Sequence, residues 1–316
     1  MRWSVALLSM WLAGCGRVAF DPRDDARMSD DSAVDAAAII DCPQGDFCLE
    51  PVPTTEDLFG VWARSAADVW AVGRNGTILR RTDGAWHVVP SGTTDQLHAV
   101  WAAPDSDLVV VGGQNARFMR LANETITSST AGGPSLNSIW GFASDRFYVV
   151  GSASVVQRCD AVSCVDNSAG TTGVLFSVWG SGTGDVWIAS LGNDLFHSTD
   201  SGPWQLEDPI STNDDWFSVW ASNPTDVWAV GYFVERYDGA VWSVVDTSAF
   251  AFVFDVAHGI DGRVWFYGMD GVTVWNGTAL EPVASPIAGT IVDIHGSDGV
   301  LWFVGAAGAI YVHQPL

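Results

Sequence analysis

The chain has no lysine: all 14 of its basic residues are arginines, set against 37 acidic residues for a net charge of −23. So acidic a surface repels phosphate backbones and forgoes the counterion release that drives nucleic-acid binding, which argues against a nucleic-acid partner. No helical period of 3.6 organises the apolar residues, and that argues against a helical solenoid. The six histidines, at 87, 98, 197, 258, 295 and 313, never stand as H-x-H or H-x3-H, and no metal or other cofactor is expected. Cysteine is scarce, five in 316 residues. What is abundant is glycine, at 33 residues, and tryptophan, at 17, within a hydrophobic fraction of 48%, the composition of a chain that buries a large core and turns often.

The N-terminus reads as an address. Arg2 precedes the apolar run Trp3–Ala13, too short to span a bilayer as a mature helix and suited to a signal h-region. Leu12-Ala13-Gly14-Cys15 follows and resembles the bacterial lipobox, which implies that residues 1–14 are a signal peptide and that Cys15 carries lipid. Two or three acyl chains on such a residue anchor a protein stably, where one would not. Gly16 lacks the aspartate that marks inner-membrane retention, so the expected location is the bacterial cell envelope, at the outer membrane.

Residues 15–44 carry Asp21, Asp24, Asp25, Asp30, Asp31, Asp35 and Asp41 with few large apolar side chains, and like charges hold such a segment extended as a tether. Its spacing lacks the D-x-D-x-D-G of a calcium loop. Export would place the remaining cysteines in an oxidising compartment, where Cys42/Cys48 and Cys159/Cys164 are expected as two short-loop disulfides.

From Leu58 the chain repeats. Leu58-Phe59-Gly60-Val61-Trp62 with Asp68-Val69-Trp70-Ala71-Val72-Gly73 returns as Trp216-Phe217-Ser218-Val219-Trp220 with Asp226-Val227-Trp228-Ala229-Val230-Gly231. Equivalent anchors fall at Trp62, Trp101, Trp140, Trp179, Trp220, Ala257 and His295, at separations of 39, 39, 39, 41, 37 and 38 residues, with His258 as an alternative register for the sixth. Eight residues beyond most anchors stands a second aromatic or branched residue: Trp70, Val109, Tyr148, Trp187, Trp228 and Trp265. Within a repeat, alternation and the Asn75-Gly76 and Asp83-Gly84 turns predict four short antiparallel strands, the signature of a propeller blade. The residues two before each anchor are Gly60, Ala99, Ser138, Ser177, Ser218, Asp255 and Asp293, mostly small, as crowding around an axis requires.

Seven anchors require seven outer strands, yet the chain ends soon after the third strand of its last repeat. Gly45-Asp46-Phe47-Cys48-Leu49-Glu50-Pro51 aligns with Gly84-Ala85-Trp86-His87-Val88-Val89-Pro90 at a shift of 39. Residues 45–52 are therefore expected to pair with Gly308–His313, cover the last blade with Phe47 and Leu49, and remove its open edge. The expected fold is all-β: a seven-bladed β-propeller over residues 45–316, its last blade closed by the N-terminal strand.

The D-V-W-A-V-G strands with their D-G-x-W turns resemble the tandem repeats of bacterial lipoprotein propellers and are similar to Asp-box (neuraminidase-type) and tectonin-like repeats. Ser198-Thr199-Asp200-Ser201-Gly202-Pro203-Trp204 follows the Asp-box S-x-D-x-G pattern, with Trp204 one place early. That architecture serves enzymes, lectins and assembly factors alike, so it leaves function open. A sialidase-like glycoside hydrolase would need three converging arginines, a tyrosine nucleophile with a glutamate partner, and an acid aspartate. The ten arginines and five tyrosines of the repeats offer no such set. The recurring Asp68, Asp107, Asp185 and Asp226 read as turn residues that bond nearby backbone amides rather than as catalytic acids. Tryptophans at blade positions read as packing, though their rings could also stack on sugars. The function expected is a non-enzymatic, membrane-anchored binding or scaffold propeller with a protein or glycan ligand; a lectin-like module and a divergent hydrolase are the alternatives.

Overall fold

Turn chemistry cuts each repeat into strands. Asp83 and Gly84 both adopt positive φ, 54° and 80°, as a two-residue hairpin turn demands, and fold Ile78–Thr82 back onto Ala85–Val88. The computed structural model describes residues 42–315 except 44, 124, 131, 169–172, 182–183, 193, 200–201, 208, 211–214, 246, 248–252, 259–261, 269–270 and 288. Cys15, the tether up to 41, and Asp200 and Ser201 of the Asp-box match lie outside the described residues. Among the described residues, 28 strands form seven four-stranded antiparallel sheets, each a blade whose strands follow chain order except in the last.

Numbered along the chain, blades 1 to 7 begin with the inner strands Leu58–Ser65, Leu97–Ala102, Leu136–Ala143, Leu175–Gly180, Ser218–Asn223, Val253–His258 and Ile291–Ser297. Each inner strand touches the next, and the seventh touches the first, so the ring closes. Between blades the second strands interlock apolar side chains. One cluster, for example, joins Val69, Ala71 and Leu79 of blade 1 to Trp302, Val304 and Val312 of blade 7. Of the tryptophans in the described residues none is exposed, and most are buried, which accounts for their repetition as packing.

The registers refine the repeat. Ala257 pairs with Trp265, as Trp62 pairs with Trp70 and Trp179 with Trp187, so Ala257 and not His258 is the sixth anchor. In blade 2 the turn is one residue longer, and Trp101 faces Val110 rather than the expected Val109. The closing glycine of D-V-W-A-V-G answers to space: a Cβ on Gly73 would stand 2.1 Å from the carbonyl oxygen of Asp57, and Gly113, Gly151 and Gly305 meet the same obstacle.

Closure is as expected at the backbone and different in its side chains. Phe47–Leu49 pairs antiparallel with Ile310–His313, and Gly45 N–H and Glu50 N–H extend the ladder to the carbonyls of Gln314 and Ile310. Phe47 is buried, stacked on His313 at 4.0 Å and tilted against Phe303 at 5.5 Å. Leu49, however, is 51% exposed. Its expected role falls to Glu50, which is buried and accepts hydrogen bonds from Arg81 Nε (3.0 Å) and Trp86 Nε1 (3.1 Å) of blade 1. The closing strand thus bonds blade 7 through its backbone and blade 1 through a carboxylate. Cys42 and Cys48 bracket its start at disulfide distance, as do Cys159 and Cys164 across the third-to-outer turn of blade 3.

Candidate binding site at the channel mouth

The anchors Trp62, Trp101, Trp140, Trp179 and Trp220 lie on inner strands, and the structure brings them together. Trp62 of blade 1 meets Trp101 at 6.5 Å and Trp179 of blade 4 at 5.9 Å; Trp179 in turn meets Trp140 at 6.0 Å and Trp220 at 6.5 Å. Blades 1 and 4 are not neighbours, so these rings reach across the axis and fill the channel. His295 belongs to the same plug. It packs 4.1 Å from Trp62, and its Nδ1 accepts the Ala63 N–H at 3.2 Å, which requires the neutral imidazole. Burial among these rings lowers its pKa from 6.5 to about 3.

Above the plug, the inner strands share a defect that alternation alone does not reveal. Between Leu58 and Gly60 the ladder skips, leaving Phe59 without a partner, and the same skip recurs at Leu97/Ala99, Leu136/Ser138, Leu175/Ser177, Val253/Asp255 and Ile291/Asp293. A bulge re-aims the side chain it contains. Phe59, His98, Asn137 and Phe176 occupy bulges, and Phe217 takes the corresponding place in blade 5; all five are half-buried. Phe59 meets the His98 ring at 5.8 Å, and Phe176 meets Phe217 at 5.4 Å. Tyr232, 6.0 Å from Phe217, and Phe233 add two exposed rings from the loop after the second strand of blade 5. The outcome is a crown of aromatic side chains at one mouth of the channel.

Charge around the crown is largely internal. Asp57 pairs with Arg74 at 2.7 Å, and Asp95 with Arg117 at 2.6 Å. Hydrogen bonds from Arg117 and then Asn115 hold the Asp95 carboxyl below the ordinary aspartate range. Burial lowers the His98 pKa, so this ring of the crown is neutral at pH 7.

The recurring aspartates act through side chains more than through turn amides. Asp185 accepts from Trp187 Nε1 and Ser181 Oγ, both at 2.9 Å, and bonds His197 Nε2, while His197 stacks on Trp187 at 3.9 Å. Asp226 repeats the unit with Trp228 Nε1, Ser222 Oγ and Arg236, and Asp68 repeats part of it with Arg64 and Arg80. Burial would raise the Asp185 carboxyl, but the bonds from His197, Trp187 and Ser181 outweigh it and hold it below its usual value. A histidine–aspartate pair whose place is filled by arginine–aspartate in two other blades is a structural tie between second and third strands. Asp107 does accept from a backbone amide, but from Asn123 N–H, 16 residues away, at 2.6 Å, and so ties two strand connections together rather than fixing its own turn.

Among the described residues, Arg64, Arg74, Arg80, Arg81, Arg117 and Arg236 form ion pairs within or between blades. Among the described residues no group of three or more histidine, cysteine, aspartate or glutamate side chains is placed to hold a metal ion.

The architecture has solved counterparts. Virginiamycin B lyase from Staphylococcus aureus superposes with a TM-score of 0.74 at 15% identity over 84% of this chain and 99% of the lyase. The WD40 β-propeller domain of Doa1 gives 0.70 at 14% over 85% and 95%. YCF48 bound to a D1 peptide gives 0.70 at 14% over 85% and 97%. No family model and no curated protein matches the sequence. Likeness at such identities defines the class, a seven-bladed β-propeller, and nothing narrower.

Proposed function

We propose that this chain is a non-enzymatic binding propeller of the bacterial envelope, held to the membrane by lipid on Cys15, which uses its aromatic crown to hold an extended polypeptide segment. The observation that carries the reading is the repeated bulge, which turns Phe59 and Phe176 toward one mouth instead of into the blade interfaces, with Phe217 beside Phe176 at 5.4 Å. Half-buried rings around a closed mouth offer apolar contact area at low entropic cost. A net charge of −23 favours a cationic segment by steering. YCF48, a propeller of the same architecture, has been solved with a peptide bound, which supports the ligand class. A polypeptide is preferred over a glycan because none of the described tryptophans is exposed as a sugar platform.

Selection from a random peptide library on immobilised wild-type protein, run beside a glycan array, tests the class of ligand. Basic peptides with aromatic or branched residues should be enriched, and their binding should fall about tenfold or more in Phe176→Ser and Phe217→Ser, the loss of one or two buried rings. Glycan hits with no peptide enrichment would replace this reading with the lectin one.

The anchor carries its own expectation. Cys15→Ala should abolish acyl labelling and move the protein from the membrane fraction to soluble or unprocessed forms. Unchanged labelling in that variant would remove the lipobox, and with it the envelope assignment.

A further inference from the structure

The cations of the chain are spread unevenly around the ring. Residues 159–235 contain no arginine, while the same span carries 11 acidic residues. It builds all of blade 4 and the inner and second strands of blade 5. At the mouth of the channel the imbalance becomes local. In blades 1 and 2 the loops beside the crown close their own ion pairs, Asp57 with Arg74 and Asp95 with Arg117. Leu191 of blade 4 and Tyr232 of blade 5 stand where blade 1 has Arg74. Asp194, in the turn between the second and third strands of blade 4, is half-buried, and its carboxylate has neither a hydrogen bond nor an ion pair among the described residues. Burial raises this carboxyl above its ordinary value, and no donor pulls it back. The backbone sets the turn beside the rings: Ser190 donates from N and Oγ to the Asp194 carbonyl, at 3.1 and 3.0 Å, and its own carbonyl accepts the Trp216 N–H at 3.2 Å. The next residue is Phe217, 5.4 Å from Phe176. Two such backbone spacings put Asp194 on the order of 10 Å from Phe217.

We infer that Asp194 is the residue by which the mouth selects its partner: it pairs with an arginine or lysine of the bound segment, while Phe176 and Phe217 hold an apolar residue about three places along. The inference rests on the reading of the crown as a polypeptide site, and adds to it the charge the segment must carry and the side on which that charge lies. An extended chain advances about 3.3 Å per residue, so three residues span the distance between the turn and the ring pair. The long stem of a basic side chain takes up the remainder. A carboxylate partly stripped of water and left without a donor is matched by a cation through charge-assisted hydrogen bonds. A neutral or acidic segment laid over the same turn would cover the carboxylate unpaired, so the residue rejects as well as attracts. Blades 1 and 2 offer no equivalent, since Asp57 and Asp95 already hold arginines, and the basic residue is thereby directed to the blade 4 side of the mouth.

A double-mutant cycle on the intact protein tests the assignment. The probe is the tightest peptide enriched by selection on wild-type protein, remade with each arginine in turn as citrulline or each lysine in turn as acetyl-lysine, changes that remove the charge and keep the length. Asp194→Asn, which breaks no bond of the fold, should weaken the unmodified peptide about fivefold and flatten its salt dependence. Against the one peptide already neutralised at the pairing residue it should have almost no effect, and that coupling identifies the pair. Asp83→Asn removes the same charge from an exposed hairpin turn of blade 1 and should leave affinity nearly unchanged. A peptide that loses affinity in Phe176→Ser but not in Asp194→Asn would overturn the role of Asp194 and leave the crown as the site. Equal losses in Asp194→Asn and Asp83→Asn would overturn it too, by assigning the effect to net charge. A selection that enriches no basic peptide would overturn both this inference and the reading it rests on.

Discussion

A chain beginning at Pro53 is expected either to melt far below the chain beginning at Cys42 or to remain an aggregating, partly open ring. Removing the closing strand takes the backbone partners from Ile310–His313 and uncovers the Phe47 side of blade 7. Burial of Phe47 contributes roughly 1.5–3 kcal/mol. Loss of Glu50 is worse, because Arg81, half over the Trp302 ring at 5.0 Å, keeps its charge with no carboxylate, and the Trp86 indole N–H loses its acceptor. Breaking a buried ion pair from one side costs about 3–5 kcal/mol. Together these terms rival the roughly 5–15 kcal/mol that holds a domain folded. The single change Glu50→Ala isolates the second term. It should lower the denaturant midpoint with little change in slope, while Leu49→Ala, at an exposed site on the same strand, should leave the midpoint nearly unchanged. Equal effects of the two would mean that the strand closes the ring through its backbone alone.

The second large effect concerns acid. His295 is held neutral, with a pKa of about 3 against an ordinary 6.5, so between those values the unfolded chain binds a proton that the folded chain refuses. Stability must then fall as pH drops from about 6.5 toward 3, by an amount on the order of 4 kcal/mol for the full shift. The lowered His98, His313 and Asp185 act in the same direction, since burial depresses the two imidazoles and hydrogen bonds depress the carboxyl despite its burial. A plain acid-melting curve therefore shows their sum. The difference between wild type and His295→Gln separates the plug, because glutamine can still accept the Ala63 N–H but does not titrate. Melting temperatures should converge as pH falls from 7 to 4, with wild type losing more. Parallel curves would mean that the ring cluster does not exclude the imidazolium.

How much of this was legible in the residues follows from the distance over which each feature is encoded. The blade count rests on anchors that recur along the chain, and the split seventh blade on a shift of 39 that aligns Phe47 with Trp86, so both could be read from spacing. The facing of Leu49 could not. Three paired residues placed against an edge give a strand two possible sides, and only the blade 1 partners Arg81 and Trp86 decide that Glu50 turns inward. The crown was hidden for a related reason: alternation in Leu58–Ala63 assigns Phe59 to a blade interface, and a bulge that skips one residue reverses that assignment. The aspartates of the D-x-W strands were read as turn formers because their partners, Arg80, His197 and Arg236, lie 10 to 12 residues away on the third strand.

The binding assignment depends on which face of the ring carries the ligand. Hydrogen–deuterium exchange on the intact protein, with and without a peptide enriched by selection, locates that face directly. Protection is expected at the starts of the inner strands, around residues 58–60, 175–178 and 216–219, and in the 231–233 loop, with no change in the turns at 104–108 and 144–146 on the opposite side. Protection confined to those opposite turns or to the outer strands, with the inner-strand starts exchanging as before, would contradict the crown as the binding site.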